Sequence, residues 1–106
     1  MTDHLLILTT APDEDCARRI ARALLEARAA ACVNLLPPMT SLYRWRGQLE
    51  EGREHQLLIK TRRACYGQVE EIVRGLHPYE LPELIATPIV TGLAGYLNWI
   101  EESTQQ

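Results

Sequence analysis

Ala31-Cys32-Val33-Asn34-Leu35-Leu36-Pro37-Pro38, followed two residues later by Ser41-Leu42-Tyr43-Arg44-Trp45-Arg46, is the stretch that decides the fold. Its first half, up to Leu36, is an apolar run of strand length, and its second half alternates Tyr43 and Trp45 with Arg44 and Arg46, the period of a strand with two unlike faces. Proline gives no hydrogen bond to a ladder, so Pro37-Pro38 marks a bulge or bend in the path. Gly47 and Gly52 bracket a turn region, and Glu54 to Thr61 carries the chain back, which makes a long β-hairpin. At about 3.3 Å per residue the stretch from Cys32 to Gly47 could reach roughly 50 Å, against a radius of gyration near 13 Å for a domain of about 100 residues. Even shortened by its bend, such a hairpin overhangs its own core. Leu42, Tyr43 and Trp45 on an overhanging arm read as an oligomer clamp, with a hairpin folded back on its own surface as the alternative. Aromatic anchors beside arginine suit an interface, and lining a ligand cleft is their second possible role.

Working outward, His4 to Thr10 is apolar without alternation, as expected of a central strand covered on both faces. Pro12 suits a first helical turn, with Asp13, Glu14 and Asp15 at the positive end of the helix dipole. Cys16, Ile20, Leu24 and Ala27 then form one buried stripe of a helix running to about Arg28. After the hairpin, Cys65, Val69, Ile72, Val73 and Leu76 repeat that spacing in a second helix. Leu84 to Val90 reads as a fourth strand, with Pro88 pointing to an edge or bulge, and Leu93, Tyr96, Leu97 and Ile100 mark a short last helix. In that helix Trp99 is expected to pack onto the sheet. The order is βαββαβ plus a helix, a ferredoxin-like split βαβ arrangement of the α+β class, with one sheet and both main helices on one face. Its strands are too apolar on both sides to leave the second face wet, so a partner subunit is expected there.

The 106 residues are 46% hydrophobic, which fits a single domain spanning residues 1–106. Acids and bases are mixed along the chain with a net charge of −3 and no basic run, so no nucleic-acid partner is expected. With no apolar run of about 18 residues and no signal-peptide order at the N-terminus, no membrane partner is expected and the location is read as cytoplasmic. The three cysteines, Cys16, Cys32 and Cys65, lack paired spacing and fit reduced thiols.

The densest polar chemistry lies in His77-Pro78-Tyr79-Glu80-Leu81-Pro82-Glu83. Two prolines hold His77 and Leu81 out of helix and stiffen the segment, which can serve as a ligand site or as a rigid link whose polar groups face water. His77 with Glu80 or Glu83 could hold a borderline cation such as Cu(II) or Zn(II), the more so if another subunit adds a donor. Cys16 and Cys65 sit on apolar stripes as small buried thiols. Cys32 reads as a structural thiol, and as a metal ligand only with a second donor nearby. His4 and His55 read as exposed strand ends. His77, Tyr79 and Glu83 could formally act as base, acid and orienter in an enzyme, but no nucleophile elbow, glycine-rich phosphate loop or Cys-His pair of known spacing accompanies them.

Four blocks taken together resemble the CutA divalent-cation tolerance family over nearly the whole chain. They are Thr9-Thr10-Ala11-Pro12-Asp13, Ala30-Ala31-Cys32-Val33-Asn34, Thr40-Ser41-Leu42-Tyr43-Arg44-Trp45-Arg46-Gly47, and His77-Pro78-Tyr79 with Pro82-Glu83; Tyr96-Leu97-Asn98-Trp99 resembles the family's C-terminal signature. The resemblance implies a homotrimer whose hairpins cross subunit boundaries, no enzymatic activity, and a link to copper and other divalent cations, none of them obligatory. It also implies kinship with PII-type signalling proteins, which hold small molecules in clefts between subunits. A copper site of the family uses a cysteine before Thr-Ala-Pro-Asp and two adjacent histidines before Pro-Tyr. Here Thr9 and Leu76 stand at two of those positions and His77 alone remains. The metal candidates are therefore His77, Glu83, Glu80 and Cys32.

Overall fold

Leu5, Ile7, Thr9 and Ala11 alternate along strand β1 (His4–Ala11) and are buried on the same face in the computed structural model, which describes residues 3–106. β1 is central because it has a neighbour on each side. It pairs with β4 (Gln48–Arg62) from His4↔Arg62 to Ala11↔His55, and with β5 (Ile85–Pro88) from Leu5↔Pro88 to Leu8↔Ile85. β2 (Cys32–Leu35) pairs with the other side of β4, giving the order β2-β4-β1-β5, and β3 (Met39–Trp45) pairs with the outer half of β4. Every pairing is antiparallel. Pro88 ends the outermost strand, where a missing donor costs no ladder bond.

Helices α1 (Glu14–Glu26) and α2 (Tyr66–Leu76) cover one face, burying Ile20, Leu24, Val69 and Val73 against Ile7, Leu57 and Ile59. The acidic start of α1 works differently from the expectation. Pro12 lies outside the helix, and Asp13 is its N-cap, its carboxylate accepting from the Cys16 amide at 2.8 Å. The helix also stops short of Arg28. That residue adopts φ 58°, and the Arg28 and Ala29 amides donate back to the carbonyls of Leu25 and Leu24. This is a Schellman closure with arginine in the left-handed position that usually takes glycine. Cys65 is buried in a short 3-10 turn (Arg63–Cys65) leading into α2.

A third helix, α3 (Ala94–Ser103), lies against the opposite face of the sheet. Ile100 is its buried anchor, Arg62 donates to the Thr104 hydroxyl and carbonyl at 2.8 and 3.0 Å, and His4 Nε2 donates to the Leu97 carbonyl at 3.1 Å. His4 is thus buried, contrary to the reading of an exposed strand end. His55 is not exposed either, since its Nδ1 lies 3.0 Å from the Leu36 carbonyl and ties β2 to β4. Trp99 is partly exposed, with its ring centre 5.4 Å from that of Tyr96. The architecture is α+β, one antiparallel sheet with three helices.

The hairpin turns in two residues. Arg46 and Gly47 both have positive φ (51° and 79°) between the paired Trp45 and Gln48, the twist that matches two strands of a hairpin. Gly52 belongs to no turn; it lies within β4 opposite Ser41. β1 stops at the partner of His55, so beyond that point β4 pairs with β3 alone and the hairpin projects as an arm from a molecule of 44 × 25 × 23 Å.

Candidate functional site

Pro78 forces His77 into extended backbone, and α2 ends there with the His77 amide still donating to the Val73 carbonyl at 2.9 Å. The imidazole then folds inward and is buried. Its Nε2 lies 2.7 Å from the Thr10 carbonyl, which can only accept, so Nε2 carries the proton; Nδ1 accepts from the Tyr79 amide at 3.1 Å. The Tyr79 ring packs on the imidazole at 4.7 Å. Both ring nitrogens hold backbone, so His77 can ligate a metal only where this loop opens.

Thr9, where the family resemblance implies a copper ligand in other members, is fully buried, and its hydroxyl donates to the Glu83 carbonyl at 2.6 Å. Gln56 donates to the Thr9 carbonyl at 2.7 Å and to the Glu83 carboxylate at 3.3 Å. Next to it the Thr10 hydroxyl donates to Glu54 at 3.1 Å. Leu76, at the other replaced position, packs against the core. The 77–83 loop is therefore pinned to β1 at both ends, by His77 on Thr10 and by Glu83 on Thr9.

Between this loop and the arm lies a cleft of about 760 Å³. Strand period decides its arm wall: Tyr43 and Trp45 share a face with their cross-strand partners Glu50 and Gln48, and Glu54 extends that face. Tyr79, Glu80, Leu81 and Glu83 form the loop wall. Arg46 reaches across from the arm tip, 3.7 Å from Glu80, with its guanidinium 5.3 Å from the Trp45 ring centre. Burial, and after it the negative charge of Glu54, push the Tyr79 phenol above its usual pKa, so it stays a neutral hydroxyl beside the carboxylates. Leu42 faces away from the aromatic side of the arm, as does Leu49, which the sequence reading did not single out although it alternates with Gln48 and Glu50.

The four metal candidates do not form one group. His77, Glu80 and Glu83 share the loop, but the imidazole points into the core while Glu80 reaches toward Arg46 and Glu83 toward Gln56. Cys32 lies elsewhere, paired with Lys60, four residues along β4 from Gln56 or about 13 Å at strand rise. Its neighbours are Asn34, which also accepts from Lys60 at 2.6 Å, and Tyr96, whose phenol is pushed up by burial and then by Cys32. Burial likewise raises the Cys16 thiol, which keeps it protonated. Among the described residues, no three His, Cys, Asp or Glu side chains converge as a metal ion requires. No helix among them is long and apolar enough to cross a membrane.

Comparison with known proteins agrees with these sequence blocks and this geometry. Residues 5–103 match the family model of the CutA1 divalent ion tolerance protein. The divalent-cation tolerance protein CutA of Thermus thermophilus is 48% identical over 99 residues, covering 93% of this chain and 96% of that protein. Protein CutA of Mus musculus is 46% identical over 96 residues, which are 91% of this chain and 54% of the mouse protein. The crystal structure of CutA from Xylella fastidiosa superimposes with a TM-score of 0.95 at 43% identity, covering 98% of this chain and all of that one. With nearly its whole length accounted for in sequence and fold, the chain belongs to the CutA1 divalent ion tolerance family.

Proposed function

We propose that this chain works as a cytoplasmic, non-enzymatic homotrimer that binds divalent cations, copper among them, and contributes to tolerance of metal ions. Membership of the divalent ion tolerance family carries the reading. The strand order β2-β4-β1-β5 supports a single ferredoxin-like domain over residues 1–106, with the arm strand β3 set aside from that core. Exposed apolar side chains support assembly: Leu42 (75%), Leu49 (78%), Val90 (82%) and Leu93 (79%) lie on the arm and around β5 and α3, too much apolar surface for a lone subunit. The cation site is placed at the mouth of the cleft, with Glu80 and Glu83 as donors and His77 added when its loop opens. Because no one chain brings three donors together among its described residues, the trimer completes the site with a neighbour's side chain. Calorimetric titration of the tag-free assembly with Cu(II) and Zn(II) tests this. Binding should weaken in the Glu80→Gln/Glu83→Gln double variant and in His77→Ala, and equal binding by all three proteins would sink the site.

A second reading is a PII-like binding scaffold that recognises a small molecule in the same cleft, with metal incidental. The cleft's volume favours it, since about 300–1,000 Å³ is the range of small-molecule sites.

A further inference from the structure

Alternation along β2 sends Val33 and Leu35 toward the core beneath the helices and turns Cys32 and Asn34 to the opposite face of the sheet. On β4, Lys60 stands directly across from Cys32 between the buried Ile59 and Thr61, and so shares that face. It is the chain's single lysine, every other long-chain cation being arginine. Cys32 is likewise the half-buried cysteine, whereas Cys16 and Cys65 are buried. One primary amine and one reachable thiol therefore occupy opposed positions on neighbouring strands.

The two side chains meet at one atom. The Asn34 amide oxygen accepts from Lys60 Nζ at 2.6 Å and from the Cys32 thiol at 3.9 Å, and both contacts are exposed. A thiol is a weak donor, and a neutral amide holds an ammonium less firmly than a carboxylate does. Lysine also carries its nitrogen on a flexible four-carbon stem, so rotation of its last bonds takes Nζ from Asn34 onto Cys32 Sγ. Tyr96 of α3 lies beside the sulfur, and its phenol, pushed up by burial and then by Cys32, keeps its proton there. All of these contacts lie within one chain, so their spacing does not depend on a neighbouring subunit. An oxidised sulfur here has a nucleophile waiting.

We propose that Cys32 and Lys60 form a peroxide-responsive crosslinking site, closing to a sulfenamide that joins β2 to β4. The Cys32 sulfur takes one oxygen from hydrogen peroxide as the O–O bond breaks, giving the sulfenic acid and a water. Sulfur is oxidised in this step and peroxide is reduced. The Lys60 nitrogen, having given one proton to solvent, then attacks the sulfur. The S–N bond forms, the S–O bond breaks, and the departing hydroxide takes a second proton from nitrogen to leave as water. Two equivalents of a thiol reverse the link, restoring thiol and amine as they become a disulfide.

The test treats the native assembly with a few-fold molar excess of hydrogen peroxide, alkylates the remaining thiols and digests with trypsin in the absence of reductant. Trypsin cannot cut after a lysine whose nitrogen is bonded to sulfur. Residues 29–44 and 54–62 should therefore appear as one joined peptide, lighter by two hydrogens than the sum of its parts, and dithiothreitol should separate them. Lys60→Arg keeps the charge but replaces the amine by a guanidinium that stays protonated, so oxidation should stop at oxygen adducts of Cys32 without a joined peptide. Cys32→Ser should give neither product. Circular dichroism and native mass establish that both variants fold and assemble as the wild type does. Sulfinic acid on Cys32 with Lys60 still cleaved by trypsin overturns the proposal, as does a disulfide formed from Cys32 or a Cys32 left unoxidised.

Discussion

Two backbone groups depend on the His77 imidazole, the Thr10 carbonyl and the Tyr79 amide, and neither has another partner offered by an alanine at that position. His77→Ala is therefore expected to destabilise the fold by about 1–3 kcal/mol, the cost of leaving buried polar groups unpaired. The midpoint of urea unfolding should drop at unchanged slope. Tyr79 gives a pH signature. Its raised pKa means that the folded chain holds the phenolic proton more tightly than the unfolded chain does, so stability is complete below the ordinary phenol value of 10.0 and falls as pH rises through the higher folded value. Tyr66 and Tyr96 shift in the same direction, also mainly by burial. Melting temperatures measured from pH 8 to 11 should decline at the alkaline end, and Tyr79→Phe should remove part of the decline. The stiffness of this loop was legible in Pro78 and Pro82. The role of His77 was not, because its partner Thr10 lies 67 positions away and nothing local announces a carbonyl waiting for a proton.

At the scale of elements, periodicity revealed both main helices, since buried stripes repeat whatever the tertiary context. Their ends were harder. The stop of α1 carries no glycine, and Arg28 takes the left-handed backbone at a strain of about 1–2 kcal/mol that glycine avoids. Arg28→Gly should relieve it. Offset by the greater entropy of glycine in the unfolded chain, about 0.4–1 kcal/mol, the net gain is expected to lie between about 0 and about 1.6 kcal/mol, measured by chemical unfolding. The hairpin was legible as a hairpin, but its turn was placed too widely. Gly52 looked like the far side of a loop, whereas Arg46-Gly47 alone makes the reversal and Gly52 sits opposite Ser41. A Cβ there would meet the Tyr43 hydroxyl at 3.8 Å, an ordinary contact, so crowding does not explain this glycine.

For the whole molecule, the overhang computed from strand rise and the projecting arm agree, because pairing of β4 with β1 ends at His55 while β4 begins at Gln48. Which side chains point into the cleft was hidden, since Glu50 and Glu54 face it only by their register against Tyr43 and Met39. Native mass spectrometry of the proposed trimer should give three times the 12.0 kDa of the chain. Trp45→Glu or Leu42→Glu should shift that mass toward the monomer, whereas His77→Ala should leave it in place; a monomeric wild type would overturn the clamp. The arm tip places Arg44 and Arg46 on an exposed hairpin held by a single strand partner. An unassembled chain thus presents trypsin with two cleavage points where local opening is easiest. The rate of nicking there, slow at high protein concentration and faster on dilution, would time how long each subunit spends alone.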